Sequence, residues 1–505
     1  MNDSTLRTRL VIAQLASPHA QSALVELTRL LQQLEEVVVR AVTGFLSQPV
    51  SPAASCELER QLWHSTREVL REILAWTYNH IEPSSPDAVP ARVEFTHDYP
   101  LTYRRRIQSP NCVGTLFGEI TLQRWLYEPL ESGERCLFPL EVTLGIVAGA
   151  ATPALAERVA WLSTSHTQEE VLDLLRREFH VDWSVTTLRK VVAGVREGLQ
   201  PHVHEAQVQQ VLAWLQEATV SRGRHKPVLA VGRDGIFLPI RGEKTYKEGA
   251  VGTVSVLDRR GRRLGTVYLG TMPESGQGTL SAALTRLLRD VLGRWEGPAP
   301  RLAYVTDAGH HPMEYYRKVL CRMRDPRRPG HWLTWTWIVD FYHASEYVHD
   351  LAEVLFDEER ARHVWARRMC HWLKHKPRAV YRVLHSAAKL CADVKLTKKE
   401  TAAFRTAYQY LRDHAAWMNY REYARLGMPL GSGVTEAACK TVFTQRFKAS
   451  GMSWGVASGQ VILDLRLTRL SGVWDKVYRA YLKSRPLVAY ATQSVLHKSP
   501  LQIAA

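Results

Sequence analysis

The sequence lacks the features that mark disulfide-stabilised, zinc-ribbon and membrane-spanning proteins. Its 505 residues include seven cysteines, an odd number, widely scattered and without a Cys-x-x-Cys pair, which argues against a disulfide framework and against a zinc ribbon. No window approaches the roughly 18 consecutive apolar residues that a transmembrane helix needs. Residues 1–16 contain acidic and basic side chains but no uninterrupted apolar core with a cleavage site. We therefore expect no signal peptide, no membrane partner and a cytoplasmic location.

Acidic residues are also few relative to basic ones. Aspartate and glutamate number 50 against 66 lysines and arginines, which leaves a formal charge of +16. A surplus of this size indicates a polyanionic partner, nucleic acid first and an acidic membrane second. An ordinary basic enzyme is the alternative that charge alone leaves open. The membrane is the weakest choice, because we find no basic amphipathic helix with an aromatic face.

The first 150 residues change from a helical to a strand pattern. Apolar residues recur at helical spacing from Leu6 to about His80, so residues 1–90 form a predicted helical region that ends in a Pro/Ser linker, Ile81–Pro90. From Arg92 the period becomes two, which predicts a β-hairpin arm in residues 91–150. Its basic cluster is Arg104, Arg105 and Arg106. These side chains either contact a phosphate backbone or form a charged, solvated sheet edge.

Residues 151–222 have the rhythm of a helix-turn-helix. A helix from Thr167 to Phe179 precedes a short turn, and a second helix begins at Val185 and is expected to stop at Gly198. A third helix is predicted from Val203. The second helix of such a motif enters the major groove of DNA, although helix pairs without that function are common. The residues predicted to face DNA are Thr186, Thr187, Arg189 and Lys190.

Residues 223–345 predict an α/β core in which strands lead into aspartates. An apolar strand ends at Asp234, and two further strands complete an antiparallel meander. After a helix, Leu302–Thr306 leads into Asp307, and the strand before Asp340 follows another helix. This order of elements is the ribonuclease H-like layout. A single aspartate at a strand end is more often a turn former or cap, but two at matching strand ends are a less probable accident.

A third acid follows a helical insertion predicted for residues 346–428. In the last region, residues 429–505, a Gly-Ser-Gly break leads into a helix that carries Glu436, with Lys440 four positions later on the same face. Phosphodiester cleavage requires an activated nucleophile and a stabilised leaving oxygen, and two divalent ions about 3.5–4 Å apart supply both. We therefore predict two Mg²⁺ (or Mn²⁺) ions, with Asp234 bridging them, Asp307 binding one and Glu436 the other. Asp340 is the rival of Asp307 as second ligand.

Four segments together resemble the DDE transposases of ISKra-type insertion sequences. They are Val231–Gly235, Val305–Gly309, Val339–His343 and Gly431–Lys440. The likeness extends from about Arg92 to Tyr481 and includes the tail Arg446–Trp454 and the later Gly472-Val473-Trp474. The resemblance implies that Asp234, Asp307 and Glu436 are the catalytic, metal-binding acids. It also implies that Asp340 and His343 belong to an Asp-x-x-His motif, in which His343 either supports the site or packs the helix after the strand.

The resemblance implies an enzyme that binds the terminal inverted repeats of its element, cleaves their ends and joins them to target DNA. We expect a homodimer when two ends are paired, and association with the nucleoid. Lys440, Arg446 and Lys448 fall near the proposed ions and are predicted to contact phosphates, although exposed basic helix faces often have no specific role. The alternatives are a domesticated regulator that binds DNA without cutting it, and a ribonuclease H-like nuclease that does not join strands.

Overall fold

The computed structural model describes residues 18–96, 100–131 and 133–485. The predicted helical start at Leu6 and the tail after residue 485 lie outside these ranges. Within them the chain forms two compact units. The first contains residues 18–163, Thr167–Val195 and residues 482–485, and the second contains Thr164–His166 and Arg196–Tyr481. The fold is mixed α/β with a mixed sheet. The boundaries predicted at residues 90 and 150 both fall inside the first unit.

The first unit combines helices with a three-stranded antiparallel sheet of order β1-β2-β3. Its strands are β1 (Arg92–Thr96), β2 (Pro100–Thr115) and β3 (Gly118–Pro129). Its helices are α1 (Pro18–Leu46), α2 (Pro52–Asn79), α3 (Pro139–Leu144), α4 (Pro153–Ser163) and α5 (Gln168–Leu174), the last continued by a π-helical turn, Leu175–Phe179. Two caps fit the expected chemistry: Ser51 begins α2, and Thr167 begins α5 with a capping box to Glu170.

The hairpin β2–β3 is longer than the sequence predicted. It turns at Leu116–Phe117, where Gly118 adopts a φ of +124° that favours glycine. The ladder shifts register between Arg105 and Gln108, so the basic cluster lies at a β-bulge. The segment before the sheet, predicted as a linker, packs on β3: Glu82 accepts a hydrogen bond from the Trp125 backbone N–H (2.8 Å), and the Trp125 indole donates to the Pro83 carbonyl (2.8 Å).

The helix stop predicted at Gly198 is wrong. A single helix, α6 (Val185–Val220), continues through Gly198 and Pro201. Ser184 caps its start by accepting from the Thr187 N–H (3.1 Å). Gly198 has a packing role instead, since a Cβ atom there would lie 2.2 Å from the ring of Tyr481. The apolar stripe that keeps the chain helical includes Leu188, Val191, Val195, Leu199, Val208, Val211 and Leu215, all buried.

The second unit contains a five-stranded sheet of order β10-β7-β4-β5-β6. Its strands are β4 (Val228–Leu238), β5 (Lys247–Leu257), β6 (Arg263–Thr271), β7 (Arg301–Thr306) and β10 (Trp335–Val339), and a separate small hairpin pairs β8 (Arg324–Asp325) with β9 (Arg328–Trp332). The β4–β5–β6 pairs are antiparallel, which confirms the predicted meander, whereas β4, β7 and β10 run parallel. Helix α7 (Gly278–Arg294) packs its predicted leucine face on the sheet: Leu280, Leu284, Leu287, Leu288 and Val291 are buried.

The remaining helices of this unit follow the strands. They are α8 (His310–Lys318), α9 (Phe341–Leu355), α10 (Glu359–His375), α11 (Val380–Asp393), α12 (Lys398–Asp413), α13 (Tyr420–Arg425), α14 (Gly433–Ala438), α15 (Gln445–Phe447), α16 (Val456–Leu470) and α17 (Trp474–Ser484), with a π-helical segment Cys439–Thr444. The residues of the predicted helical insertion, 346–428, are mostly helical: they include most of α9 and all of α10 to α13. Trp365 is buried and donates to the Ser386 hydroxyl (3.1 Å). Across the described ranges, no helix combines the length and apolarity of a membrane span. All seven cysteines are free.

Candidate active site

The three parallel strands bring three aspartates to one level of the sheet. Residues of β4 pair with residues 73 positions later in β7 (Val228 with Arg301), and Asp234 and Asp307 have the same offset. Residues of β7 pair with residues 33 positions later in β10 (Leu302 with Trp335), as do Asp307 and Asp340. Asp307 and Asp340 directly follow their strands. The prediction that Asp234 ends its strand is wrong, because β4 continues past it to Leu238 along β5.

Glycine 232 sets which helix covers Asp234. Side chains alternate along a strand, so Gly232 and Asp234 face the same side of the sheet. A Cβ atom on Gly232 would lie 1.9 Å from Oγ1 of Thr435, which therefore packs directly on the strand backbone. Thr435 also shares a hydrogen bond with Thr253 on β5 (2.8 Å). These contacts hold α14, the helix that carries Glu436, against the side of β4 from which Asp234 projects.

The same arrangement brings Cys439 and Glu436 to the aspartate. Cys439 lies three residues after Glu436, and its Sγ is 3.2 Å from Oδ2 of Asp234. The other oxygen of Asp234 accepts from the Gly235 N–H (2.7 Å). Asp307 accepts from the Gly309 N–H (2.9 Å), and Oε1 of Glu436 accepts from the Ser432 hydroxyl (2.6 Å). Among the described residues, no donor reaches Oδ2 of Asp307 or Oε2 of Glu436, so both oxygens remain free to bind a ligand.

The electrostatics of the site favour a cation. Burial raises the pKa of the Asp234 carboxyl from 3.8 to about 6. Hydrogen bonds from Cys439 and Gly235 lower that pKa, whereas the charges of Asp307 and Glu436 raise it further. Within the described ranges, no ion pair to lysine, arginine or histidine includes Asp234, Asp307 or Glu436. Negative charge therefore accumulates here without a basic side chain to balance it.

The three carboxylates suit a hard divalent cation, and their spacing suits two ions better than a single ion bound by all three. Carboxylate oxygens are the ligands that Mg²⁺ takes. Among the described residues, His310, His311 and Glu314 have ligand atoms that all lie within 4.8 Å of one another, but the three acids form no group that compact. One ion bound by all three acids would need such spacing. A pair of ions about 3.5–4 Å apart would not require all three acids to converge on one point.

Asp340 occupies a different environment from the other acids. It is 0% exposed. Its Oδ1 accepts from the backbone N–H groups of Tyr342 (2.5 Å) and His343 (3.2 Å), which makes it the N-cap of α9. Its Oδ2 accepts from the Ser432 N–H (2.5 Å) and also contacts the Ser432 hydroxyl. Both oxygens are thus already used.

His343 lies beside the site rather than among the acids. Its Nδ1 is 2.9 Å from Oε2 of Glu346, and its ring packs edge-on against Tyr410, with centroids 5.5 Å apart. The Tyr410 hydroxyl donates to the backbone carbonyl of Asp307 (2.6 Å). The helical insertion therefore supports the turn that carries Asp307, and His343 packs against the residue that does so.

The basic residues after Glu436 have different environments. Lys440 and Lys448 are exposed, and the Lys448 ammonium lies 5.9 Å from the ring of Tyr246. Arg446 is only 3% exposed, with its guanidinium over the ring of Trp454 at 4.9 Å. Its burial argues against the predicted contact with DNA. Lys440 and Lys448 remain accessible to a phosphate.

In the first unit, the residues predicted to contact DNA also differ in exposure. Arg104, Thr186, Arg189 and Lys190 are exposed, and Thr187 is half-buried. Arg106 pairs with Glu128 at the bulge. Arg105 donates to the carbonyls of Pro86 and Val89 and lies 5.4 Å from the ring of Trp125. Arg105 is therefore a packing residue of the sheet, whereas Arg189 and Lys190 present accessible charge.

Sequence reasoning missed several residues of the site. Ser432 and Cys439 contact the acids directly, yet a serine in a Gly-Ser-Gly break and a lone cysteine carry no distinct signal. Gly232 did carry one, because glycine inside an apolar strand often marks a close approach of backbone. The His310, His311 and Glu314 cluster was also missed. Glu314 already pairs with Lys318, so we assign that cluster no metal.

Comparison with known proteins does not extend this description. No model of a protein family matches the chain, and no curated protein matches it significantly.

Proposed function

We propose that this chain is a DDE-type DNA transposase with a ribonuclease H-like core, as its resemblance to the ISKra-type insertion-sequence enzymes implies. The observation that carries the proposal is the meeting of Asp234, Asp307 and Glu436. They come from separate parts of the chain, gather on one side of the sheet and have no basic ion-pair partner among the described residues. A structural role rarely leaves three acids unbalanced in this way.

The proposed reaction consists of two phosphoryl transfers at one site. In the first, water attacks the phosphorus at an element end, the P–O3′ bond breaks, and the end is left with a free 3′-hydroxyl. In the second, that hydroxyl attacks a phosphorus of target DNA and displaces the 3′-oxygen of the target strand. Two divalent ions, Mg²⁺ or Mn²⁺, would activate the attacking oxygen and stabilise the leaving oxygen.

The roles of the acids follow from their contacts. Asp234 is the proposed bridging ligand, because Asp307 and Glu436 are both close enough for their charges to raise its pKa. Oδ2 of Asp307 and Oε2 of Glu436 are the free oxygens that would each bind one ion. Cys439 and the Gly235 N–H orient the Asp234 carboxylate. Lys440 and Lys448, both exposed, would contact DNA phosphates.

The proposed partner is double-stranded DNA, comprising the terminal inverted repeats of the element and the target. The charge of +16 and the exposed Arg189 and Lys190 on α6 support this assignment. Pairing of two ends would require two copies of the chain, so we propose a homodimer in the paired-end complex and association with the nucleoid.

The decisive experiment uses DNA that flanks the gene, in which inverted repeats bordered by short direct repeats would identify the element ends. When the protein is incubated with labelled element ends, a supercoiled target and Mg²⁺, it should yield cleaved ends and joined product. Asp234→Asn and Glu436→Gln should abolish both while end binding survives. Glu422→Gln, which changes a half-buried glutamate paired with Arg425, should behave as wild type. Cleavage without joining would instead indicate a nuclease, and binding without either would indicate a regulator.

A further inference from the structure

We propose that Asp340 acts as a positioning residue that orients Glu436 through Ser432, and that it is not a metal ligand. The inference rests on the proposed function, because it assigns a role within the same site. It also decides between Asp307 and Asp340, the two candidates for the second ligand. Asp340 follows β10, Ser432 lies at the end of the loop before α14, and Glu436 lies on α14.

Both oxygens of the Asp340 carboxylate are already held by hydrogen bonds. Oδ1 accepts from the backbone N–H groups of Tyr342 and His343, and Oδ2 accepts from the backbone N–H of Ser432. The Ser432 hydroxyl also lies against Oδ2 and covers it. The group is fully buried. In the neighbouring strand, Asp307 lies at the same level of the sheet and accepts from Gly309 through Oδ1.

Ser432 links Asp340 to Glu436. Its backbone N–H donates to Oδ2 of Asp340 (2.5 Å), and its hydroxyl contacts that same oxygen and also Oε1 of Glu436 (2.6 Å). The hydroxyl has a single hydrogen to donate. When that hydrogen is directed to Glu436, the backbone N–H still holds Ser432 on Asp340. Glu436 can therefore be oriented without loss of the anchor.

The loop before α14 is fixed to the same point by its backbone. The Phe341 N–H donates to the Leu430 carbonyl (2.9 Å). At Gly431, a Cβ atom would lie 2.9 Å from the Tyr342 ring and 3.6 Å from Oδ1 of Asp340, so a larger residue would move the loop away. Leu430, Gly431 and Ser432 thus all depend on the start of α9, and the position of Glu436 depends on them in turn.

The test compares four single variants of the full chain and the double variant Ser432→Ala/Asp340→Asn. Ser432→Ala removes the hydroxyl but keeps the N–H anchor. Asp340→Asn can keep an oxygen for the α9 cap while its amide nitrogen meets the Ser432 donors. Ser432→Thr restores a hydroxyl, and a cavity of about 60 Å³ adjoins this residue. Ser345→Ala is the matched control, because its hydroxyl donates to the Phe341 carbonyl and contacts the Cys370 thiol, neither of which belongs to the proposed site.

The measurements are the Mg²⁺ dependence of end cleavage and the number of Mn²⁺ ions bound, by calorimetry. Loss of a group that orients a metal ligand typically costs about 10–100-fold in metal affinity or activity. We expect that loss for Ser432→Ala and Asp340→Asn, with the number of Mn²⁺ ions unchanged. The double variant should be no worse than either single one, because both break the same link. Ser432→Thr should recover most activity, and Ser345→Ala should match wild type.

Two outcomes would overturn the inference. One is that Asp340→Asn binds one Mn²⁺ ion fewer while Ser432→Ala is normal, which would make Asp340 a ligand. The other is wild-type Mg²⁺ dependence in Ser432→Ala. The proposed function would survive either result, provided that the wild-type protein cleaves element ends and Glu436→Gln does not. A wild-type protein that neither binds Mn²⁺ nor cleaves element ends would remove both.

Discussion

The thiol of Cys439 lies 3.2 Å from carboxylate oxygen Oδ2 of Asp234, although the two residues are 205 positions apart in the chain. This contact joins the helical segment after Glu436 to the central strand of the sheet. The thiol is the donor, so it satisfies a carboxylate that would otherwise be more poorly solvated. An acid on a strand and an acid on a helix are thereby held in one site before any ion binds.

The thiol of Cys439 should react more slowly with an alkylating reagent than the exposed cysteines do. Burial raises the pKa of its thiol, and the negative charges of Asp234, Glu436 and Asp307 raise it further. Because the thiolate is the reactive form, iodoacetamide at pH 8 should label the exposed Cys136 and Cys321 at least about tenfold faster. Mass spectrometry of the native protein measures the rates. After unfolding the difference should vanish, and equal native rates would contradict the assignment.

The stability of the metal-free protein should depend on Asp234 and on pH. Because the pKa of this carboxyl is raised to about 6 from 3.8, the folded state holds the proton more tightly than the unfolded chain. The resulting stability is fully present below about pH 4 and is lost as pH rises through 6. At about 1.4 kcal/mol per pKa unit, the loss amounts to roughly 3 kcal/mol.

Asp234→Asn isolates this contribution, because the amide does not titrate. Urea denaturation in EDTA from pH 4 to 7.5 should show wild type losing stability relative to the variant across that window. Mg²⁺ at pH 7.5 should restore wild type but not Asp234→Asn, since the cation binds the deprotonated carboxylate. A difference between the two proteins that stays constant with pH would disprove the raised pKa.

The sequence contained enough to predict the strands, but not which side of the sheet each helix covers. Apolar runs leading into Asp234 and Asp307 predicted two strands side by side, and the offset of the ladder agrees. Strand alternation puts Asp234 on the side opposite Arg233, which donates to Gln277 and Ser281 near the start of α7. Which side α14 would cover depends on its packing against Gly232, and packing between distant segments has no local signature.

Local signals failed where tertiary contacts decide. Gly198 looked like a helix stop, yet it serves the close approach of Tyr481. Asp340 remained the rival of Asp307 for the second metal ligand, because both residues directly follow a strand. What distinguishes the two is Ser432, 92 positions away from Asp340, and no spacing in the sequence indicates that pair. Long-range hydrogen bonds of this kind can be identified only from the structure.

Gly232→Ala should displace the helix that carries Glu436. The added methyl group would overlap Oγ1 of Thr435 at 1.9 Å and crowd Thr253 at 2.9 Å. Overpacking of this kind typically costs about 1–3 kcal/mol, and end cleavage should fall with it. Adding Thr435→Ala should recover part of the loss. Gly278→Ala, where nothing lies within 4 Å of the new atom, is the control in thermal unfolding and cleavage assays.

Tyr410→Phe should weaken the support of Asp307 while keeping the aromatic packing. The ring of Tyr410 stacks on Tyr347 with centroids 3.9 Å apart, and phenylalanine preserves that contact. The variant loses only the hydroxyl bond to the Asp307 carbonyl, which is worth about 1 kcal/mol. We expect a lower cleavage rate with unchanged end binding. Tyr408→Phe, on the same helix, should leave both unchanged, and equal rates for the two variants would remove the role of Tyr410.

Arg189 and Lys190 should contribute to DNA binding, whereas Arg105 should contribute to stability. Both residues on α6 are exposed, so replacing each with alanine should weaken binding to element ends. Each phosphate contact that is lost should reduce the slope of log Kd against log salt concentration by about 0.9.

Arg105→Ala is the control. It removes one positive charge as well, but the Arg105 guanidinium is bonded to the Pro86 and Val89 carbonyls. That variant should lower the melting temperature and keep the wild-type salt slope. Fluorescence anisotropy at several salt concentrations separates these outcomes, and an unchanged slope in Arg189→Ala/Lys190→Ala would exclude this face of α6 from the DNA interface.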